Sequence, residues 1–194
     1  MTKFLTLTLS LFLSSFLMAQ EIECTYVMDK DSNATITLSD NQSLCIMPGV
    51  EFHGRIIIDG KDAQIYNKGI FAPRSFTLKC NDRFLFVNED SVYLNDGLTT
   101  LGTYINHGIF YIYGSFIDTT DCESSSFVNN GIMTVTGDFN SSITFKNKGS
   151  LTIEGDFDNL TDESDFLTNS GNISVAGSLA QRNLFNSWDL ILVH

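Results

Sequence analysis

Residues Phe127 to Phe139 read FVNNGIMTVTGDF, and every second residue gives Phe127, Asn129, Gly131, Met133, Val135, Gly137 and Phe139. The skeleton returns as Phe145, Asn147, Gly149, Leu151, Ile153, Gly155, Phe157, and again as Leu167, Asn169, Gly171, Ile173, Val175, Gly177, Leu179. An earlier copy is Tyr104, Asn106, Gly108, Phe110, Ile112, Gly114, Phe116. Period-two alternation means strand, because successive side chains on a strand point to opposite faces.

Looser copies flank these four. Phe86, Asn88, Asp90, Val92, Leu94, Asp96, Leu98 carries Asp at both Gly places, and Ile65, Asn67, Gly69, Phe71 breaks at Pro73. Val50, Phe52, Gly54, Ile56, Ile58, Gly60 reads as a first copy with Phe52 in the Asn place. Leu184, Asn186, Trp188, Leu190, Leu192 reads as the last, with Trp188 in the first Gly place. The Asn places are therefore Asn67, Asn88, Asn106, Asn129, Asn147, Asn169 and Asn186, separated by 21, 18, 23, 18, 22 and 17 residues. Self-similarity near twenty residues marks a solenoid. No helical pattern lies between the copies, and the Leu-x-x-Leu-x-Leu spacing of leucine-rich repeats is missing. The reading is all-β: a single-stranded parallel β-helix, or β-solenoid, of about seven to eight coils.

Coils stacked at ~4.8 Å turn each motif position into a column. The apolar columns fill the interior. Stacked Asn amides can bond from coil to coil, whether Asn points inward or sits on a left-handed bend. Gly at two fixed places suits close backbone approach or a corner with positive φ.

Three segments follow. Residues 1–19 read as a signal peptide, with Lys3 as the positive n-region and an apolar Phe4 to Met18 that is short for a membrane span; an N-terminal membrane anchor is the alternative. Residues 20–49 are less regular, carry a candidate strand at Ala34 to Leu38, and are read as an N-terminal cap over the open sheet edge. Residues 50–194 hold the β-helix repeats. Cysteines at 24, 45, 80 and 122 allow two disulfides in an exported chain; Cys24–Cys45 would staple the cap, while Cys80, in the coil of Asn67, and Cys122, in that of Asn106, have a whole coil between them.

The formal charge of the whole chain is −12, and losing Lys3 with the leader makes it one unit more negative. Such acidity disfavours nucleic acid and anionic lipid as partners. No membrane insertion is expected once the leader is removed. His53, His107 and His194 share no metal-ligand spacing, and no Gly-x-Ser-x-Gly elbow or phosphate-binding Gly loop is present. The chain is read as no enzyme and as needing no cofactor. Calcium is the one exception: Asp138 and Asp156 share a column in neighbouring coils, and like charges there either splay apart or share a cation. A solvated acidic rim is the plainer account. On the outward face, Tyr111 and Tyr113 are candidate stacking partners for a sugar ring, against ordinary strand propensity.

The recurring Asn-x-Gly-x-hydrophobic-x-hydrophobic-x-Gly-x-Phe between Val50 and Leu192, behind a leader, resembles the parallel β-helix arrays of bacterial cell-surface, adhesin-type proteins, whose wider fold is shared with pectate-lyase-like enzymes. The resemblance implies a right-handed solenoid and a secreted or cell-surface location. The expected function is a non-catalytic structural or adhesive role toward a protein or glycan at the cell surface. The alternative it implies is a glycan-binding or glycan-cleaving protein, although the acidic calcium cluster and basic catalytic residue of the pectate-lyase-like members have no counterpart here.

Overall fold

The computed structural model describes residues 23–79, 83–118, 125–159, 167–181 and 190–192. Among them every regular element is a strand, and every strand pairing is parallel. The chain winds into a β-solenoid of about seven turns. Each coil from Ser43 to Gln181 contributes one strand to each of three faces.

The first face is an eight-stranded sheet built from Tyr26–Met28, Ser43–Ile46, Gln64–Asn67, Leu85–Asn88, Thr103–Asn106, Ser126–Asn129, Thr144–Asn147 and Leu167–Asn169. The second face is also eight-stranded and runs from Glu51–Phe52 and Ile70–Phe71 through Ser91–Leu94, Ile109–Ile112, Ile132–Val135, Ser150–Ile153 and Asn172–Val175 to Leu190–Leu192. The third face is two sheets. Thr35–Leu38, Arg55–Ile58 and Ser75–Leu78 form one; Leu98–Thr100, Phe116–Asp118, Phe139–Ser141, Phe157–Asn159 and Leu179–Gln181 form the other.

Register follows the motif. Phe127 stacks on Tyr104 and under Phe145, and Asn129 lies between Asn106 and Asn147. Alternate residues are buried, as in Ser126–Asn129, where Phe127 and Asn129 are inside and Ser126 and Val128 are only half-buried. Inside, rings form a column: Tyr104 and Phe127 stack at 5.6 Å and 6°, Phe127 and Phe145 at 5.4 Å and 22°. On the third face Phe116 and Phe139 stack at 4.4 Å and 4°. Such columns let one side-chain choice per motif position fill the whole core, and stacked rings add about 0.5–1.5 kcal/mol each beyond burial.

One copy is shifted from the expected alignment. Phe52 pairs with Phe71, not with Asn67; Ile46 occupies the Asn place. Ile56 and Ile58 then belong to the third face, in Arg55–Ile58. A slip of an even number of residues keeps every side chain on its own side of a strand, so alternation alone does not reveal it.

The coil pattern also continues through the segment expected as a cap. Tyr26–Met28 pairs with Ser43–Ile46, Ser32 bridges Phe52, and Thr35–Leu38 pairs with Arg55–Ile58. A Cys24–Cys45 disulfide, Cα–Cα 5.8 Å, joins these first two coils. The leader, Cys80, Cys122, Asn186 and Trp188 lie outside the described residues.

The third face divides for a local reason. Phe71 and Val92 are partners on the second face. After Phe71 the chain turns at once through Ala72-Pro73-Arg74, whereas after Val92 the strand runs on to Leu94 before turning at Asn95-Asp96-Gly97. Pro73 has no N–H to donate to a ladder. The corner in the earlier coil therefore arrives about two residues sooner. Ser75–Leu78 and Leu98–Thr100 diverge, and each is the last strand of its sheet.

Candidate functional site

Three constellations were expected from the sequence: the Asn column, the paired aspartates and the outward tyrosines. The Asn column is interior. Asn67, Asn88, Asn106, Asn129 and Asn147 are fully buried. Each Nδ2 donates to the Oδ1 of the Asn in the next coil at 2.8 Å, from Asn67 through to Asn169. The same Nδ2 groups reach a main-chain carbonyl of that coil: Ser91, Ile109, Ile132, Ser150 and Asn172, at 2.9 to 3.2 Å. Gly69, Gly108 and Gly171 donate their N–H groups back to Asn Oδ1. The Asn-x-Gly corner is thus held by side chain instead of by left-handed backbone, and a buried amide satisfied on all sides is stabilising where a half-satisfied one is not.

Asp138 and Asp156 line the corner between second and third faces. Asp138 Oδ1 accepts the Asp156 N–H at 2.9 Å, and Asp156 Oδ1 accepts the Ser178 N–H at 2.6 Å. Ser115 Oγ accepts the Asp138 N–H at 3.2 Å, one coil earlier. This column of Ser, Asp, Asp and Ser ties each corner to the next by side chain to main chain. An amide N–H bonded to a carboxylate offsets part of the like-charge repulsion between Asp138 and Asp156 without a shared cation. Among the described residues no group of three or more His, Cys, Asp or Glu is placed to hold a metal ion.

The tyrosines do come together, on the outward side of the second face. Tyr111 and Tyr113 have ring centroids 4.3 Å apart, and Tyr93, the register partner of Tyr111, adds a third ring at 6.4 Å. Tyr93 was missed in the sequence reading, although Val92 and Leu94 on either side of it are motif positions that face inward. Ile109 and Ile132 are register partners in the neighbouring row and are 41% and 54% exposed; Tyr113 is 47% exposed. The outward row changes character along the axis, from Tyr93 and Tyr111 to Thr134, Thr152 and Ser174. Partial burial, with Glu154 and Tyr113 nearby, pushes the Tyr111 hydroxyl above the ordinary tyrosine range. The result is an aromatic and aliphatic patch on a β face. Exposed Ile and Tyr in contiguous rows are the usual chemistry of a contact surface.

No family model, curated protein or solved structure matches this chain.

Proposed function

We propose that this chain is an exported, non-catalytic β-solenoid with a structural or adhesive role, secreted or held at the cell surface. The observation that carries the reading is the outward patch of half-buried Tyr93 and Tyr111 with exposed Tyr113, Ile109 and Ile132, carried on a stack held by an interior Asn ladder and stacked rings. Two features support export: an apolar leader behind Lys3, and the Cys24–Cys45 disulfide, since such bonds persist in oxidising compartments. The resemblance to adhesin-type arrays supports a protein or glycan of the cell surface as partner.

A second reading is glycan binding. The Tyr111–Tyr113 pair, with ring centroids 4.3 Å apart, offers the kind of aromatic surface that stacks on a sugar ring. Calcium, held at the Asp138 and Asp156 edge, belongs to that reading.

The test is a glycan-array screen of purified residues 20–194, run with calcium and again with a chelator. The scaffold or protein-adhesion reading expects no saturable glycan binding in either buffer from a folded, β-rich protein. Saturable binding to one defined sugar, lost in Tyr111→Ala/Tyr113→Ala, would replace it with the glycan reading. Binding lost only in chelator would assign the calcium.

A further inference from the structure

The break in the third face leaves a groove. Its volume is about 360 Å³, and its walls are Pro73 to Leu78 on one side and Leu94 to Thr99 on the other, with Leu101 beneath. That volume lies in the range of ligand-sized clefts, ~300–1,000 Å³.

Among the described residues, both rims are outer strands of their sheets. Within the described residues Ser75–Leu78 has Arg55–Ile58 as its one strand neighbour, and Leu98–Thr100 has Phe116–Asp118. Main-chain groups of successive strand residues point to opposite sides, so the bonds that are made show which are left. Leu98 donates its N–H to Ser115 O at 3.0 Å, away from the groove. The N–H and C=O of Thr99 therefore turn toward it. Lys79 donates to Ile58 O at 3.1 Å, and Leu78 before it turns the other way, into the groove. A cleft with main-chain donors and acceptors on both walls is half-built sheet, and the group that completes it is another extended main chain.

We propose that this groove takes an extended segment of a partner polypeptide by strand addition, filling the gap between the two sheets of the third face. The rims are three and four residues long, so the bound stretch is short. Leu98 and Leu101 are buried and Phe76 is half-buried, which gives the inward side chains of the segment an apolar floor. Thr99 is exposed and the Ser75 and Thr77 hydroxyls lie 3.5 Å apart on the outer side, which suits polar residues there. Arg74 and Asp96, one on each wall, balance each other locally. The chain as a whole carries −12, so electrostatic steering favours a partner segment that is basic. The groove is separate from the tyrosine patch, which lies on the second face.

The test starts by panning random twelve-residue peptides on purified residues 20–194 and measuring the enriched peptide by fluorescence anisotropy. Thr99→Pro removes the groove-facing N–H, while Thr99→Ala keeps it. The expected result is saturable binding that Thr99→Ala preserves and Thr99→Pro weakens at least tenfold, with circular dichroism unchanged. Should Thr99→Pro not fold, peptides N-methylated at single residues decide on the unaltered chain: methylation at alternate residues must abolish binding. The proposal is overturned by no saturable peptide binding to the parent, by equal binding to parent and a folded Thr99→Pro, or by indifference to N-methylation. Concentration-dependent dimerisation lost in Thr99→Pro would make the occupant a second copy and overturn the partner assignment.

Discussion

Gly149 sits where a methyl group has no room. A Cβ there would overlap the Gly131 carbonyl oxygen of the coil before it, and Gly108, Gly131 and Gly171 meet the same obstacle in their own coils. None of these has positive φ, so the constraint is closeness of two backbones and not a left-handed turn. Gly49 is the converse: its φ is +77° and nothing lies within 4 Å of the added carbon. Gly149→Ala is expected to cost about 3 kcal/mol by overpacking, and Gly49→Ala about 1 kcal/mol by backbone strain alone, measured as urea midpoints. Tyr104 carries a different burden. It is fully buried between Phe86 and Phe127, and its hydroxyl, close to the Leu101 backbone, makes no well-formed hydrogen bond. Tyr104→Phe is expected to raise stability by about 1 kcal/mol at neutral pH. Burial also pushes the Tyr104 hydroxyl above its ordinary value of 10.0. Below that value neither state ionises and stability is full. Above it the unfolded chain ionises first, so stability falls by up to about 1.4 kcal/mol per pH unit. Unfolding midpoints between pH 10 and 11 should show a shallower decline in Tyr104→Phe than in the parent.

At the scale of the element, the Asn column behaves as one part. Asn129 accepts from Asn106 and donates to Asn147 Oδ1 and the Ser150 carbonyl. Asn129→Ala strands partners above and below it in a dry interior, and about 3 kcal/mol of stability should be lost. Asn129→Asp should be worse at neutral pH, because a carboxylate donates nothing to Asn147 and is a charge buried without a counter-ion. Its burial raises the folded-state pKa, so the variant's penalty should shrink as pH falls and the acid form restores a donor. Urea titrations at pH 7 and pH 4 check the order; an Asp variant as stable as Ala at pH 7 would contradict it.

At the scale of the molecule, each coil touches its neighbours and little else. Stability in such a stack is close to a sum of coil and interface contributions. The Cys24–Cys45 disulfide closes a 21-residue separation across the first two coils. Replacing both cysteines with Ala should cost about 3 kcal/mol by loop-closure entropy, and the loss should be local. Hydrogen exchange should show Tyr26–Met28 and Thr35–Leu38 losing protection while Ser126–Asn129 and Thr144–Asn147 keep theirs. Protection lost equally along the whole chain would mean that the stack unfolds as a single unit.

The repeat in the sequence was enough to determine the strands, their parallel stacking, the apolar columns and the existence of an Asn ladder. Alternation reports which side of a strand a residue takes, and a fixed period reports what stacks on what; both are local to the chain. The Cys24–Cys45 pair was legible too, because its 21-residue separation is about one coil of the repeat and brings the two residues together in neighbouring coils. Tertiary structure alone decided that Asn points inward, since inward and bend placements give the same spacing. It placed Phe52 in its true column, because an even slip leaves the pattern unchanged. It gathered Tyr93 with Tyr111 and Tyr113, and it showed the Asp138 and Asp156 carboxylates bonded to main-chain amides. The groove in the third face showed in the sequence only as a repeat copy that breaks at Pro73: it arises from a two-residue difference in where adjacent coils turn, and only stacked coils make that difference into a gap.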